Sequence, residues 1–135
     1  KWRIHSQWAD NAMIRKFNRE PTLDIHPSDA TSRGIDNGEY VRVYNDRGEV
    51  VVKADYNEGM QPGLINIDQG WWNEDFIKGD LQNLTHDEVN KLAPTFVFYD
   101  VRAEVEPAPD NLDTSMYTDP EKPAWLGGFP NGGDQ

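Results

Sequence analysis

The stretch "HPSDATSRGIDNGEYVRVYNDRGEV", residues 26–50, carries the strongest local signals for the fold. Pro27 suits the first turn of a helix, and Gly34 suits the position just after the last turn. We therefore predict a short helix over residues 27–33. The Asp-Asn-Gly sequence at residues 36–38 predicts a turn that leads into the next element.

The second half of the same stretch predicts a β-hairpin. Residues 40–44 alternate valine with polar or aromatic side chains, the pattern of a strand with one buried face. Asn-Asp-Arg-Gly at residues 45–48 supplies turn residues, with Gly48 available for a positive φ angle. Residues 49–56 then return as the partner strand.

Further elements flank this hairpin on both sides. Strands are predicted at residues 2–5, 23–25, 64–67 and 96–106. Asp10 or Asn11 is placed to cap a short helix that carries Met13 and Phe17. About six strands and three short helices, without an internal repeat, indicate a small, mostly β barrel.

The third helix is predicted from a capping pattern alone. Thr85 and Glu88 have the spacing of a capping box, so residues 86–92 are expected to be helical. Pro94 would end that helix.

Composition limits the function classes. The chain has 135 residues, enough for one domain, and a net charge of -11. That charge argues against nucleic acid and against an anionic membrane surface, because both require clustered Lys and Arg. No apolar stretch approaches the roughly 18 residues of a membrane span. Because cysteine is absent, disulfides and thiolate chemistry are excluded within these residues. The start at Lys1, directly before strand-like sequence, suggests a piece of a longer protein.

Familiar catalytic arrangements cannot be located. The three histidines are far apart and have no partner at ligand spacing, so no metal site is predicted. Ser6 adjoins His5, but neighbours on a strand point to opposite faces. The glycine-rich residues 127–133 follow no strand and open no helix, unlike a phosphate loop. The residues alone do not indicate a complete enzyme.

Three polar and aromatic clusters fall at the ends of predicted elements. They are "RIHSQW" at residues 3–8, "GWWN" at residues 70–73 and "GDLQNLT" at residues 79–85. Trp71 and Trp72 are equally suited to the core, and amides beside helix starts are commonly caps. Together, however, the clusters are what a ligand site on a rigid scaffold requires.

In order along the chain, the decisive segments are "RIHSQ", "REPTLDIHPSDATSRGIDNGEYVRVYNDRGEVVVKA", "GLINIDQGWW", "NLT" and "FYDVRAEVE". This order resembles the C-terminal molybdopterin-dinucleotide-binding domain of the dimethyl sulfoxide reductase family of molybdenum oxidoreductases, nearest to its dimethyl sulfoxide and trimethylamine N-oxide reductase-like branch. The resemblance covers residues 1–107 and implies a mostly β fold, a six-stranded double-psi β-barrel with a few short helices. Residues 108–135, rich in Pro, Gly and Asp, are expected to form an arm or tail with Trp125 and Phe129 as its large anchors.

The resemblance also implies a function. Family members place this domain last, over a bis(molybdopterin guanine dinucleotide) cofactor with molybdenum, or tungsten in its place. The metal and the substrate chamber are built by other domains, so this chain is expected to ligate no metal and to be inactive alone. Expected partners are the remaining domains of the same catalytic polypeptide and an iron–sulfur electron-transfer subunit, without nucleic acid or membrane insertion. A prokaryotic cytoplasm or periplasm is the expected compartment.

By the same resemblance, eight residues are expected to contact the cofactor. They are Arg3, His5, Ser6, Gln7, Trp72, Gln82, Asn83 and Tyr99. Many family members carry Asn where this chain has Gln82, and Asn83 follows one residue later, so either amide is a candidate. No catalytic residue is predicted.

Two alternatives remain open from the residues. A carbohydrate- or peptide-binding module would present Trp71 and Trp72 as a flat, exposed platform, because aromatic faces stack on sugars. Double-psi barrels also include small decarboxylases, but these need a self-cleaving Gly-Ser pair, which this chain lacks.

Overall fold

The computed structural model describes residues 5–8, 11–95 and 100–118. Six strands lie within these ranges: β1 Thr22–Ile25, β2 Tyr40–Tyr44, β3 Glu49–Tyr56, β4 Ile65–Ile67, β5 Lys78–Gly79 and β6 Glu104–Pro107. The α-helices are α1 Ala12–Phe17, α2 Pro27–Ser32 and α3 Ser115–Thr118, with 3₁₀ turns at Asn73–Asp75 and Leu81–Leu84. No helix in the described ranges has the length and apolar character needed to cross a membrane.

The strands form one sheet in the order β4-β1-β3-β2-β6, and β5 pairs with β3 beside β1. The eight-residue β3 organises the sheet, because β2 pairs antiparallel with its first half and β1 pairs parallel with its second half. The crossover that this parallel pair requires runs through α2, the turn after it, and β2. The predicted mostly β fold with few short helices is confirmed; among the described residues the sheet is open, with β4 and β6 at its ends.

The core follows the alternation read from the sequence. Leu23, Ile25, Ile35, Val41, Val43, Val50, Val52 and Ala54 are all buried. Val51 between two core valines is buried as well, so β3 is covered on both faces over this part.

The predicted helix ends in the first half of the chain are confirmed. Asn11 caps α1, and its side chain accepts a hydrogen bond from the Met13 amide at 2.9 Å. His26 caps α2 by accepting from the Ser28 amide, which assigns this histidine a structural role. Gly34, just after α2, has a φ angle of 68°.

The predicted helix over residues 86–92 is wrong. Thr85 does not cap a following helix; instead its hydroxyl donates to the Gln82 carbonyl at 2.9 Å and closes the preceding 3₁₀ turn. Residues 87–92 are exposed, so no apolar face stabilises a short helix there. Two strand predictions are wrong at positions that the structure describes: His5 lies in a turn, and residues 100–103 precede β6 without joining a strand. The rest of the strand predicted at residues 2–5, and residues 96–99 of the last predicted strand, lie outside the described residues.

The first part of the predicted arm packs on the sheet through a residue that the sequence did not single out. Tyr117 of α3 is buried, stacks on Tyr40 with ring centroids 6.4 Å apart, and donates its hydroxyl to the Asp75 carbonyl. Trp125 and Phe129, the predicted anchors, lie outside the described residues.

These two tyrosines predict a loss of stability at alkaline pH. Burial, and then the nearby Glu20 carboxylate, raise the pKa of Tyr40 and of Tyr117 above the ordinary value. An unfolded tyrosine loses its proton near pH 10, roughly. Above that pH the unfolded chain binds fewer protons than the folded chain, so the free energy of unfolding falls as pH rises. Urea unfolding between about pH 8 and 11 measures this slope.

The control for this prediction is the Tyr40→Phe/Tyr117→Phe double variant. It should lose part of the stability at pH 8 but show a shallower alkaline decline. An unchanged alkaline slope in the double variant would contradict the assignment to these two hydroxyls.

Candidate functional site

The loop at residues 5–8 lies against the loop that precedes the two tryptophans. A Cβ atom at Gly70 would collide with the His5 carbonyl group, so these backbones approach too closely for any side chain at this position. Gly70 also has a φ angle of 97°, which favours glycine. Two of the three predicted clusters, residues 3–8 through their described part 5–8 and residues 70–73, are therefore neighbours in the fold.

The loop at residues 5–8 holds an uncommon backbone conformation. His5 and Trp8 have φ angles of 53° and 66°, in the left-handed region that costs a residue other than glycine about 1–2 kcal/mol. Such conformations cluster at functional sites, where the surrounding structure enforces them. His5, Ser6 and Gln7 are exposed, so their polar groups are accessible to a ligand.

The two tryptophans have different environments. Trp71 is half-buried against the core and lies under the guanidinium of Arg15, whose carbon is 5.7 Å from the ring centre. Trp72 is 50% exposed, and its amide donates to the Asp75 carboxylate at 2.9 Å. The pair therefore forms no flat platform, and only Trp72 offers a large part of its surface to a ligand.

A buried ion pair fixes the tryptophan loop to α1. Arg15 and Asp75 are 2.8 Å apart, and their side chains are 6% and 3% exposed. The second carboxylate oxygen of Asp75 accepts the Trp72 amide, and the Asp75 carbonyl accepts the Tyr117 hydroxyl. One acidic residue thus joins α1, the tryptophan loop and α3.

The turn that carries the candidate amides is held by the β2–β3 hairpin tip. The Asn45 amide donates to the Leu84 carbonyl at 2.8 Å, and the Arg47 guanidinium donates to the same carbonyl at 3.1 Å. Gly48 does not use the positive φ predicted for it; a Cβ there would lie 2.8 Å from the Asn83 carbonyl oxygen. Turn chemistry alone accounts for the residue types at the hairpin tip, but the tip also supports Asn83.

The two candidate amides differ in their local contacts. The Gln82 side-chain oxygen accepts a hydrogen bond from the Thr85 hydroxyl at 3.1 Å, whereas the Asn83 main chain packs on Gly48. Both residues are exposed. A cavity of about 210 Å³ lies beside Gln82 and is also lined by Gln69, the residue before Gly70. The third cluster therefore lies close to the other two.

Replacing Asn45 tests the support of this turn. Asn45→Ala removes two hydrogen bonds to main-chain carbonyls and two from the Arg47 and Gly48 amides. Each net bond contributes about 0.5–1.5 kcal/mol, so we expect the loss of four bonds to lower the free energy of unfolding by about 2–6 kcal/mol, measured by urea denaturation.

The matched control is Asn57→Ala, because the Asn57 side chain closes only a local turn to the Gly59 amide. That variant loses one bond and should lose no more than about 1.5 kcal/mol. Equal losses in the two variants would show that Asn45 acts only within its own turn.

The structure describes six of the eight predicted contact residues: His5, Ser6, Gln7, Trp72, Gln82 and Asn83. Arg3 and Tyr99 lie outside the described residues. Within the described ranges, no group of three or more His, Cys, Asp or Glu side chains is placed to hold a metal ion. Arg15 and Asp75 were not singled out from the sequence, and Gly70 was included only as part of the "GWWN" cluster.

Comparison with known proteins agrees with the resemblance. The family described as "Molydopterin dinucleotide binding domain" matches residues 1–101. A protein of Halobacterium salinarum assigned as a dimethyl sulfoxide reductase catalytic subunit is 61% identical over 118 residues, which are 87% of this chain and 14% of that protein. Trimethylamine-N-oxide reductase of Haemophilus influenzae is 35% identical over 82 residues, 58% of this chain and 10% of that protein.

Among solved structures, acetylene hydratase from Pelobacter acetylenicus matches with a TM-score of 0.50 and 24% identity, over 53% of this chain and 10% of that chain. This likeness concerns the fold alone. The chain belongs to the molybdopterin-dinucleotide-binding domains of the dimethyl sulfoxide reductase family of molybdenum oxidoreductases. It spans at most 14% of the length of the curated relatives described above.

Proposed function

We propose that this chain is the cofactor-binding domain of a larger molybdenum oxidoreductase catalytic subunit. There it holds one molybdopterin guanine dinucleotide of a bis(molybdopterin guanine dinucleotide) cofactor. The observation that carries the proposal is the close approach of Gly70 to His5, which joins two clusters expected to contact the cofactor. When bound, the molybdenum cofactor supplies the centre for oxygen-atom or electron transfer.

The donors in these clusters suit a polyanionic dinucleotide. Ser6 and Gln7 offer hydroxyl and amide donors to phosphate or pterin oxygens, and each hydrogen bond to a charged oxygen contributes about 1.5–3 kcal/mol. Neutral donors suit a domain with a net charge of -11, because binding then depends on local contacts. We assign Arg3 to the phosphates and His5 to the pterin.

The remaining contacts come from the other loops. Trp72 presents its exposed ring to the cofactor, Gln82 or Asn83 supplies an amide, and Tyr99 reaches the pterin. The cavity of about 210 Å³ beside Gln82 is smaller than the roughly 300–1,000 Å³ typical of ligand pockets. This domain therefore forms one wall of the cofactor site, and other parts of the subunit complete it.

We also propose that the sheet is part of a six-stranded double-psi β-barrel over residues 1–107, followed by an arm over residues 108–135. The parallel pairing of β1 with β3 inside an otherwise antiparallel sheet supports the barrel topology. The end of β6 at Pro107 supports the boundary. The proposal also includes an electron-transfer partner, an iron–sulfur subunit.

Analysis of the full catalytic subunit, purified anaerobically, tests the proposal. We expect molybdenum or tungsten together with guanine nucleotide and pterin. A preparation with neither metal nor pterin would contradict it. Separate Gln82→Ala and Asn83→Ala variants of the same subunit identify the amide ligand, because only one should lower the pterin content.

The binding-module alternative is not favoured. It requires both tryptophans on an exposed platform, whereas Trp71 is half-buried under Arg15. The family match over residues 1–101 is to molybdopterin-dinucleotide-binding domains and not to a carbohydrate- or peptide-binding module.

A further inference from the structure

One threonine holds both the main chain and the side chain of Gln82 in the 3₁₀ turn at Leu81–Leu84. The Thr85 hydroxyl lies 2.9 Å from the Gln82 carbonyl oxygen and 3.1 Å from Oε1, the oxygen of the Gln82 side chain. The single hydroxyl hydrogen is shared between these two acceptors, as in other bifurcated hydrogen bonds. The same group therefore closes the turn and fixes the end of the Gln82 side chain.

The main chain that carries Gln82 is held at both ends of the turn. The Asp80 carboxylate accepts a hydrogen bond from the Gln82 amide nitrogen at 3.0 Å and caps the turn. At the other end, Leu84 is buried in the core, and its carbonyl accepts hydrogen bonds from the Asn45 and Arg47 side chains. Since the main chain is rigid here, only the side-chain torsions of Gln82 remain to be fixed.

The contact at Oε1 decides which end of the Gln82 amide is available to a ligand. An amide side chain has one oxygen acceptor and one NH₂ group with two donors. Thr85 binds the oxygen, and among the described residues the Nε2 group of Gln82 has no hydrogen-bond partner. Gln82 is exposed and lines the cavity of about 210 Å³, so its NH₂ group is accessible to a bound molecule.

Asn83 provides the comparison within the same turn. Its carbonyl oxygen and its Cβ atom lie against Gly48, where an added Cβ would be 2.8 Å and 2.9 Å from them. Asn83 does not line the cavity, and no hydrogen bond within the described part of the chain orients its side-chain amide. An amide that is free before binding must be ordered on binding, which weakens affinity. Gln82 is already oriented and loses less freedom.

We propose that Thr85 is a positioning residue for the cofactor and that it acts through Gln82, the one of the two candidate amides that contacts the cofactor. The inference rests on the proposed function of this chain as a cofactor-binding domain. By holding Oε1, Thr85 presents the Gln82 Nε2 group as a donor to an oxygen of the dinucleotide. Thr85 itself is assigned no contact with the cofactor.

The rate at which the full-length catalytic subunit releases pterin tests the inference. Each variant is purified anaerobically and incubated in dilute urea, and the released pterin is measured by fluorescence after oxidation. We expect Thr85→Val to release pterin about two- to tenfold faster than the parent, since the cost of ordering one flexible side chain corresponds to a change of this size. Thr85→Ser keeps the hydroxyl and should restore a rate close to that of the parent.

The matched control is Thr118→Val. The Thr118 hydroxyl also donates to a main-chain carbonyl, that of Thr114 at 3.4 Å, but it lies on α3 and outside the turn that carries the candidate amides. This variant should release pterin at the rate of the parent. If Thr85→Val does not fold, Thr85→Ala replaces it in the same comparison.

A double variant separates positioning from a purely structural role. If Thr85 acts through the Gln82 side chain, Thr85→Val adds nothing in a Gln82→Ala background, whereas damage to the turn itself would accelerate release in both backgrounds.

Three results would overturn the inference and leave the cofactor function in place. They are additive effects in the double variant, release from Thr85→Val at the rate of the parent, and faster release from Asn83→Ala than from Gln82→Ala. A parent subunit that contains no pterin would reject the proposed function and, with it, the role of Thr85.

Discussion

In the full catalytic subunit, Gly70→Ala is expected to lose most of the bound cofactor. The added Cβ atom would collide with the His5 carbonyl group and displace the loop at residues 5–8. Overpacking of this kind costs about 1–3 kcal/mol, in addition to the strain of a left-handed alanine. If about 1.4 kcal/mol of that cost weakens the free energy of cofactor binding, cofactor affinity falls about tenfold. Pterin and molybdenum content per subunit measure the loss.

Gly63→Ala is the matched control for the collision. Gly63 has a φ angle of 88°, close to the 97° of Gly70, but a Cβ atom there would meet nothing within 4 Å. Both variants carry similar backbone strain, and only Gly70→Ala moves the loop. Cofactor loss of equal size in both would show that strain, rather than the contact with His5, causes the effect.

In the 135-residue chain, Asp75→Ala is expected to lower the free energy of unfolding by about 3–5 kcal/mol. The variant removes the Asp75 carboxylate from the buried Arg15 guanidinium and from the Trp72 amide. Losing a buried charge partner costs more than the pair contributes, because the remaining charge stays desolvated. Urea denaturation measures the change.

Glu104→Gln provides the comparison at the surface. Glu104 pairs with Arg33 at 3.4 Å, and their side chains are 65% and 37% exposed. An exposed pair contributes about 0–1 kcal/mol, so this variant should remain close to the parent. The Arg15→Met/Asp75→Leu double variant should recover much of the stability lost in Asp75→Ala, since two apolar side chains leave no buried charge. A double variant as unstable as Asp75→Ala would point to the Trp72 contact instead.

Much of the fold was predictable because its signals are local. Pro27 and Gly34 bracket α2, Asn11 caps α1, and valine alternation marks β2. Each of these features acts within one turn or one strand, so a short window of sequence contains it. The local capping pattern at Thr85 failed because a nearer partner, the Gln82 carbonyl, takes the hydroxyl hydrogen bond.

The candidate site was predictable only in part. The resemblance indicated His5, Trp72 and the amides at residues 82–83, and comparison with known proteins confirms the family. Their roles toward the cofactor stay predictions. The residues that support the site were not predicted, because turn chemistry accounts for a glycine or an asparagine without any contact to a distant segment.

The family, the hairpin, the first two helices and the alternating core could thus all be predicted from the residues. The contacts that hold the site could not, because they join segments far apart in the chain. Arg15 meets Asp75 across 60 residues, Tyr117 meets Asp75 across 42, and Asn45 meets Leu84 across 39. Such contacts form when β1 and β2 pair with the two edges of β3. No spacing of residues along the chain predicts them. Local preferences act over one turn, whereas burial and charge pairing depend on which segments pack together.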